Sequence, residues 1–92
     1  MLSPTIRMQT PMQITVRLFA ALAEKAGTRS LTLELPAGAR ADAVRRAVQE
    51  RFPLAQGLCQ RSAVAINAEY AAADRLLYDG DEVALIPPVS GG

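Results

Sequence analysis

Histidine is absent from this 92-residue sequence, cysteine occurs once, and the aromatic residues are two phenylalanines and two tyrosines. Without imidazole there is no Ser/His or Cys/His nucleophile pair and no His-dependent acid–base catalysis, and a zinc site loses its commonest nitrogen ligand. Any chemistry at this chain therefore draws most of its machinery from another protein, and the chain is not expected to be catalytic alone. The lone thiol, Cys59, has no internal disulfide partner, which fits a reducing compartment and makes the cytoplasm the expected location. With so few aromatics, the core must be built from Leu, Val, Ile and Ala. Ten basic side chains against nine acidic ones leave a net charge of +1. That balance supplies no field to gather nucleic acid or an anionic membrane, so neither is an expected partner. No run approaches the roughly 18 apolar residues of a membrane span, and the opening residues lack the continuous apolar segment of a secretory leader.

What is present suits one domain with a modest core. Residues Met1 to Pro11 show no sustained period and read as an unstructured lead-in, with Met12 as an alternative translation start. From Met12 the pattern alternates: Met12, Ile14, Val16 and Leu18 share one face and Gln13, Thr15 and Arg17 the other, which predicts a half-buried strand. Ala20 to Ala26 is rich in helix formers and is followed by Gly27 where a left-handed cap would sit. Leu31, Leu33 and Leu35 alternate with Thr32 and Glu34, predicting a second strand antiparallel to the first.

Val44, Ala47, Val48 and Phe52 form the stripe of an amphipathic helix over about Ala41 to Phe52, which Pro53 ends. Arg40 is a poor cap for it, while Asp42 suits the first turn and is spaced to pair with Arg46. Leu54 to Arg61 reads as a loop or short turn. Ala63 to Ile66 reads as a third strand bending at Asn67-Ala68, with Glu69 and Tyr70 as a brief edge. Asp79-Gly80-Asp81 signals a turn before a last apolar strand, Val83 to Ile86. The expected fold is therefore α+β over residues 12–86, one mixed sheet packed on one main helix plus a short helix.

Few residues outside the end of the chain suggest chemistry. Cys59 has only Arg61 nearby as a cationic neighbour and reads as a structural thiol rather than a nucleophile or sulfur relay. Arg40, Arg45, Arg46 and Arg51 give the main helix a basic outer side, read as a solvated face rather than a docking surface for an acidic partner. Asp79, Asp81 and Glu82 fit turn chemistry better than a metal loop, so no metal is expected. Asp74, Arg75 and Lys25 read as surface residues.

The end of the sequence, Pro87-Pro88-Val89-Ser90-Gly91-Gly92, is different. Two prolines stiffen the exit from the last strand, and two residues without side chains follow. A flexible, incidental end is the plain alternative. A stiff and then slender tail, however, fits a channel too narrow for any Cβ and would present the Gly92 carboxylate to a partner's active site.

These residues resemble the small sulfur-carrier subunits of molybdopterin synthase, the MoaD family, relatives of the thiamine sulfur carriers and of ubiquitin. The likeness runs from Met12 to Gly92. It rests on Leu18-Phe19-Ala20, Ala65-Ile66-Asn67-Ala68-Glu69, Asp79-Gly80-Asp81-Glu82-Val83 and the Pro87-to-Gly92 tail. The double proline is similar to the molybdopterin branch. The lead-in and Arg40 depart from the family pattern.

The resemblance implies a β-grasp fold with the first and last strands as parallel neighbours, and Phe19 as a partner-docking residue. It implies that an E1-like partner using ATP and magnesium adenylates Gly92, that a sulfur donor converts the adenylate to a thiocarboxylate, and that Gly91, Ser90, Val89, Pro88 and Pro87 give the tail access to the large synthase subunit. Sulfur would pass there to cyclic pyranopterin monophosphate in molybdenum cofactor biosynthesis. Two small and two large subunits are implied, with no cofactor bound by this chain. Sulfur delivery to thiamine, cysteine or tRNA, a ubiquitin-like modifier, and a β-grasp binding module with an incidental tail remain as alternatives.

Overall fold

Strand β1, Met12–Leu18, forms where the alternation predicts it, with Met12, Ile14, Val16 and Leu18 buried and the residues between them exposed. The computed structural model describes residues 11–88. The lead-in over residues 1–10 and the tail residues Val89, Ser90, Gly91 and Gly92 lie outside the described residues. Helix α1, Ala20–Ala26, ends at Gly27, which takes the expected left-handed conformation with φ 76° and donates its N–H to Ala23 O. Strand β2, Ser30–Leu35, returns antiparallel to β1, from Met12 opposite Leu35 to Arg17 opposite Ser30.

Helix α2, Ala41–Arg51, buries Val44 and Val48 and packs Ala47 and Phe52 against the core. Arg40 precedes it without a side-chain cap. The free N–H groups of the first turn are met by the later loop instead: Ala41 N–H donates to Arg75 O at 2.8 Å and Asp42 N–H to Ala73 O at 2.9 Å. The Arg40 guanidinium donates to Asp74 O at 2.8 Å and holds that loop in place. A tertiary contact thus satisfies what a hydroxyl residue would otherwise satisfy locally. The spaced pair forms as expected, with Arg46 Nε 3.4 Å from Asp42.

Two expectations are corrected. The segment after Pro53 is not a loop: Pro53–Ala55 makes a 3-10 turn and Gln56–Arg61 a short helix, α3. Ala55 and Cys59 are fully buried and Leu58 partly so, and this packing stabilises a helix too short, and too weakened by Gly57, to show in the pattern. Arg45 does not join the basic outer face. It lies half-buried between α2 and α3, donating to Ser62 O at 3.2 Å and lying 3.8 Å from Asp42.

Strands β3, Ala63–Ile66, β4, Glu69–Ala71, and β5, Glu82–Ile86, complete a five-stranded sheet of order β2-β1-β5-β3-β4. β5 runs parallel to β1, from Thr15 beside Glu82 to Leu18 beside Leu85, and antiparallel to β3. A parallel neighbour needs a crossover, and α2 lies on it, covering one face of the sheet. This is the β-grasp arrangement, an α+β fold with the first and last strands side by side. Among the described residues no helix is long and apolar enough to cross a membrane.

Candidate functional site

β5 governs two features at once. Its pleat sends Val83 and Leu85 under the helices and leaves Ala84 and Ile86 on the open face. Its pairing stops with Ile86 opposite Ala63, and the chain passes into Pro87, which is buried, and Pro88, which is exposed. Proline has no N–H to continue a ladder and holds φ near the extended range, so the strand ends here and the chain leaves in a restricted direction. The predicted site residues Gly92, Gly91, Ser90 and Val89 follow, outside the described residues.

Beside that exit lies a hollow of ≈ 300 Å³ bordered by Phe19, Tyr70, Ala68 and Ile86, with Ala65 and Ala84 in its floor. Its shape follows from the cross-strand register. Tyr70 faces Ala65, Ala65 faces Ala84, and Ala84 faces Arg17, which gives a row with short side chains in the middle and long ones at its ends. Phe19 is 43% exposed and Tyr70 76% exposed, so both large rings meet solvent next to one another's hollow. Contiguous exposed apolar surface of this kind marks an interaction site more often than a random surface does. At its edge Arg17 Nη1 meets Glu82 Oε2 at 3.1 Å, with both side chains about half exposed. Such a pair adds little stability, but it leaves no unpaired charge beside the apolar floor.

Backbone strain gathers around the same hollow. Ala20, Asn67 and Ala68 are the non-glycine residues with positive φ among the described residues, at 52°, 50° and 74°. Ala20 follows Phe19, and Ala68 lines the hollow itself. For an alanine the left-handed region costs about 1–2 kcal/mol.

The other candidates sit elsewhere. A larger hollow of ≈ 650 Å³ lies over the polar half of the sheet, lined by Gln13, Thr15, Thr32, Glu34 and Asp79, with no aromatic or large aliphatic side chain at its border. Asp79 accepts Gln13 N–H at 2.7 Å, and Asp81 accepts Tyr78 N–H at 2.9 Å and Asn67 Nδ2 at 3.0 Å. These carboxylates are engaged in building the turn, which Gly80 completes at φ 88°. Cys59 is buried on the covered side, its Sγ donating to Arg45 O at 3.4 Å. Burial pushes its thiol up from the ordinary value, outweighing the opposing influence of the nearby Arg45 guanidinium and the Gln49 side chain. The thiol therefore stays protonated and is a poor nucleophile.

Sequence reasoning singled out Phe19, Pro87 and Pro88 and missed Tyr70, Ala68, Ala84, Ile86 and Arg17. A signal existed for two of these, Ala84 and Ile86. Val83 to Ile86 is apolar without alternation, so the outer face of β5 had to be apolar too.

Comparison with known proteins adds lineage to this geometry. The ThiS family profile fits residues 16–92. This chain belongs to the ThiS family. It is 39% identical over 83 residues to the molybdopterin synthase sulfur carrier subunit of Chlamydomonas reinhardtii, covering 88% of this chain and 100% of that one. The small archaeal modifier protein 1 of Haloferax volcanii superposes with a TM-score of 0.77 at 30% identity, covering 85% of this chain and 99% of that one. Subunit 1 or 2 in the complex of the two subunits of the Helicobacter pylori molybdopterin-converting factor superposes with a TM-score of 0.62 at 27% identity, covering 88% of this chain and 100% of that one. In this ThiS-family chain, the hollow and the Pro87-Pro88 exit therefore lie side by side on a scaffold it has in common with sulfur carriers and a protein modifier.

Proposed function

We propose that this chain is the sulfur-carrier subunit of a molybdopterin synthase, acting in the cytoplasm. The observation that carries the reading is the run of β5 into Pro87-Pro88 beside the Phe19–Tyr70 hollow, in a sequence similar to such carriers. The hollow would seat the large subunit, and the tail would then enter that subunit's active site at high effective concentration.

The chemistry falls on Gly92. A carboxylate resists nucleophiles because resonance and negative charge oppose attack. An E1-like partner would join it to the AMP portion of ATP, with magnesium, releasing pyrophosphate and leaving a mixed anhydride. Sulfide from a donor would displace AMP and leave a thiocarboxylate. That sulfur is a soft nucleophile, and it would attack cyclic pyranopterin monophosphate inside the large subunit, after which water would cleave the acyl–sulfur bond, leaving the sulfur on the pterin and Gly92 as a carboxylate again. Gly91 keeps the approach free of a Cβ, and Ser90, Val89, Pro88 and Pro87 span the distance. ATP and pterin sites belong to the partners, and an assembly of two small and two large subunits is part of this proposal.

The likeness to a small archaeal modifier supports a second reading, in which Gly92 ends in an isopeptide bond on a target lysine. Intact mass separates the two. After incubation with ATP, the activating enzyme and a sulfur source, exchange of one oxygen for sulfur at Gly92 supports a carrier, whereas ladders of higher mass support a modifier. Transfer of that sulfur to cyclic pyranopterin by the large subunit distinguishes this acceptor from thiamine, cysteine or tRNA. Deleting Gly92 or adding one residue after it is expected to abolish transfer, and full activity of an extended tail would overturn the threading mechanism.

A further inference from the structure

Three hydrogen bonds converge on Asn67, and their geometry points to this residue as the positioning residue of the docking hollow, an inference that rests on the docking reading above. Asn67 N–H donates to Glu82 O at 2.8 Å, Asn67 Oδ1 accepts Glu82 N–H at 3.0 Å, and Asn67 Nδ2 donates to Asp81 Oδ1 at 3.0 Å. Main chain and side chain of one residue thus engage both backbone groups of Glu82. The side chain takes the place of a further sheet partner at the foot of β5.

What this clip holds is one wall of the hollow. Asn67 and Ala68, both left-handed, form the turn between β3 and β4. Ala68 lines the hollow, and Tyr70 stands two residues further on. β4 has three residues, and its ladder runs to β3 alone among the described strands. A hairpin this short is marginal without outside support. The bonds to Asp81 and Glu82 supply that support and fix the Ala68–Tyr70 wall relative to β5. The same Glu82 binds Arg17 across the hollow's edge, so the turn, β5 and β1 are linked by one run of polar contacts. β5 is also the strand that leads to the tail. Asn67 therefore sets the hollow and the tail exit in one frame without itself forming the apolar surface.

Turn propensity alone is the competing explanation, because asparagine tolerates positive φ. Glycine tolerates it better but has no side chain to reach Asp81 or Glu82. The two roles thus separate in Asn67→Gly. The test uses the full chain, carrying its thiocarboxylate, against the cognate large molybdopterin synthase subunit. It measures the Kd and the dependence of sulfur transfer on carrier concentration, with melting temperature as the check on folding. Asn67→Gly is expected to stay folded at the assay temperature, raise Kd and KM about ten-fold and leave kcat unchanged.

A second pair of variants guards against simple misfolding. Asn67→Asp places a carboxylate against Asp81 and should weaken docking. Adding Asp81→Asn restores a donor and an acceptor with their positions exchanged, and should recover the original Kd. An unchanged Kd in folded Asn67→Gly, a loss confined to kcat, or no recovery in the exchanged pair would overturn the positioning role. Phe19→Ala serves as the control for the surface. If it too leaves Kd unchanged, the docking reading falls and this inference falls with it, whereas a weakened Phe19→Ala beside an unaffected Asn67→Gly removes this inference alone.

Discussion

Leu85 and Ile86 are neighbours on β5, and the pleat sends them to opposite sides of the sheet. Leu85 is fully buried beneath the helices, while Ile86 lies half open in the hollow with Phe19 and Tyr70. Both are large aliphatic residues in a central strand. The covered face gains its apolar contacts within the chain, so they stabilise the fold. Apolar groups on the open face gain little until another molecule covers them, and that asymmetry separates residues that hold the fold together from residues left available for contact.

Truncation on each side should expose this difference most strongly. Leu85→Ala is expected to cost about 3 kcal/mol, lowering the melting temperature by about 15 °C for a domain of this size. Ile86→Ala should cost less than about 1 kcal/mol, because its side chain is already partly solvated. Urea or thermal unfolding of the two variants checks the contrast, and similar losses would erase the distinction between the faces.

Phe19→Ala takes the same comparison to the partner. It is expected to weaken binding of the large subunit about ten-fold, a cost of about 1.4 kcal/mol, while moving the melting temperature by only a few degrees. Isothermal titration against that subunit gives the first quantity and differential scanning calorimetry the second. A large drop in stability with unaltered binding would assign Phe19 to the core instead.

The covered face was largely legible in the sequence and the open face largely was not. Met12–Leu18 alternates cleanly, and the Val44–Val48 stripe has helical spacing, because burial on one side only imposes a period on the chain. The parallel pairing of β1 with β5 was expected from the family resemblance and not from any local pattern. The hollow is assembled from residues 17, 19, 65, 68, 70, 82, 84 and 86, which only the sheet register brings together. Its floor is alanine, a residue with no distinctive signature on either side of a strand. Helix α3 escaped notice for a related reason, since its formation depends on burying Ala55 and Cys59 rather than on its own propensity.

Strain provides a smaller test of the same division. Ala68 holds φ at 74° on the rim of the hollow, in a conformation glycine adopts without the Cβ penalty. Ala68→Gly is expected to raise stability by about 1 kcal/mol, offset in part by the greater freedom of glycine in the unfolded chain. It also removes a methyl from the rim, so stability should rise while docking weakens slightly. A variant that loses stability would show that the turn is not strained.

Cys59 should matter least to function, because it belongs wholly to the covered face. On the proposed carrier chemistry, thiocarboxylate formation in Cys59→Ala is expected to match that of the unaltered chain, and its loss would make the thiol part of the sulfur route. The ionisation of Cys59 bears on stability only in alkali. Burial raises its pKa in the folded chain above the ordinary 9.0, so the folded state holds the proton over a range in which the unfolded chain has released it. The stability this confers is complete below the unfolded value and is lost as pH rises through the folded one, with a limiting slope of about 1.4 kcal/mol per pH unit. Urea unfolding across this range should therefore show the unaltered chain declining more steeply than Cys59→Ala above pH 9.0, the two running parallel at neutral pH. Parallel curves throughout would mean that the folded domain solvates the thiolate as well as water does, contrary to the sealed packing between α2 and α3.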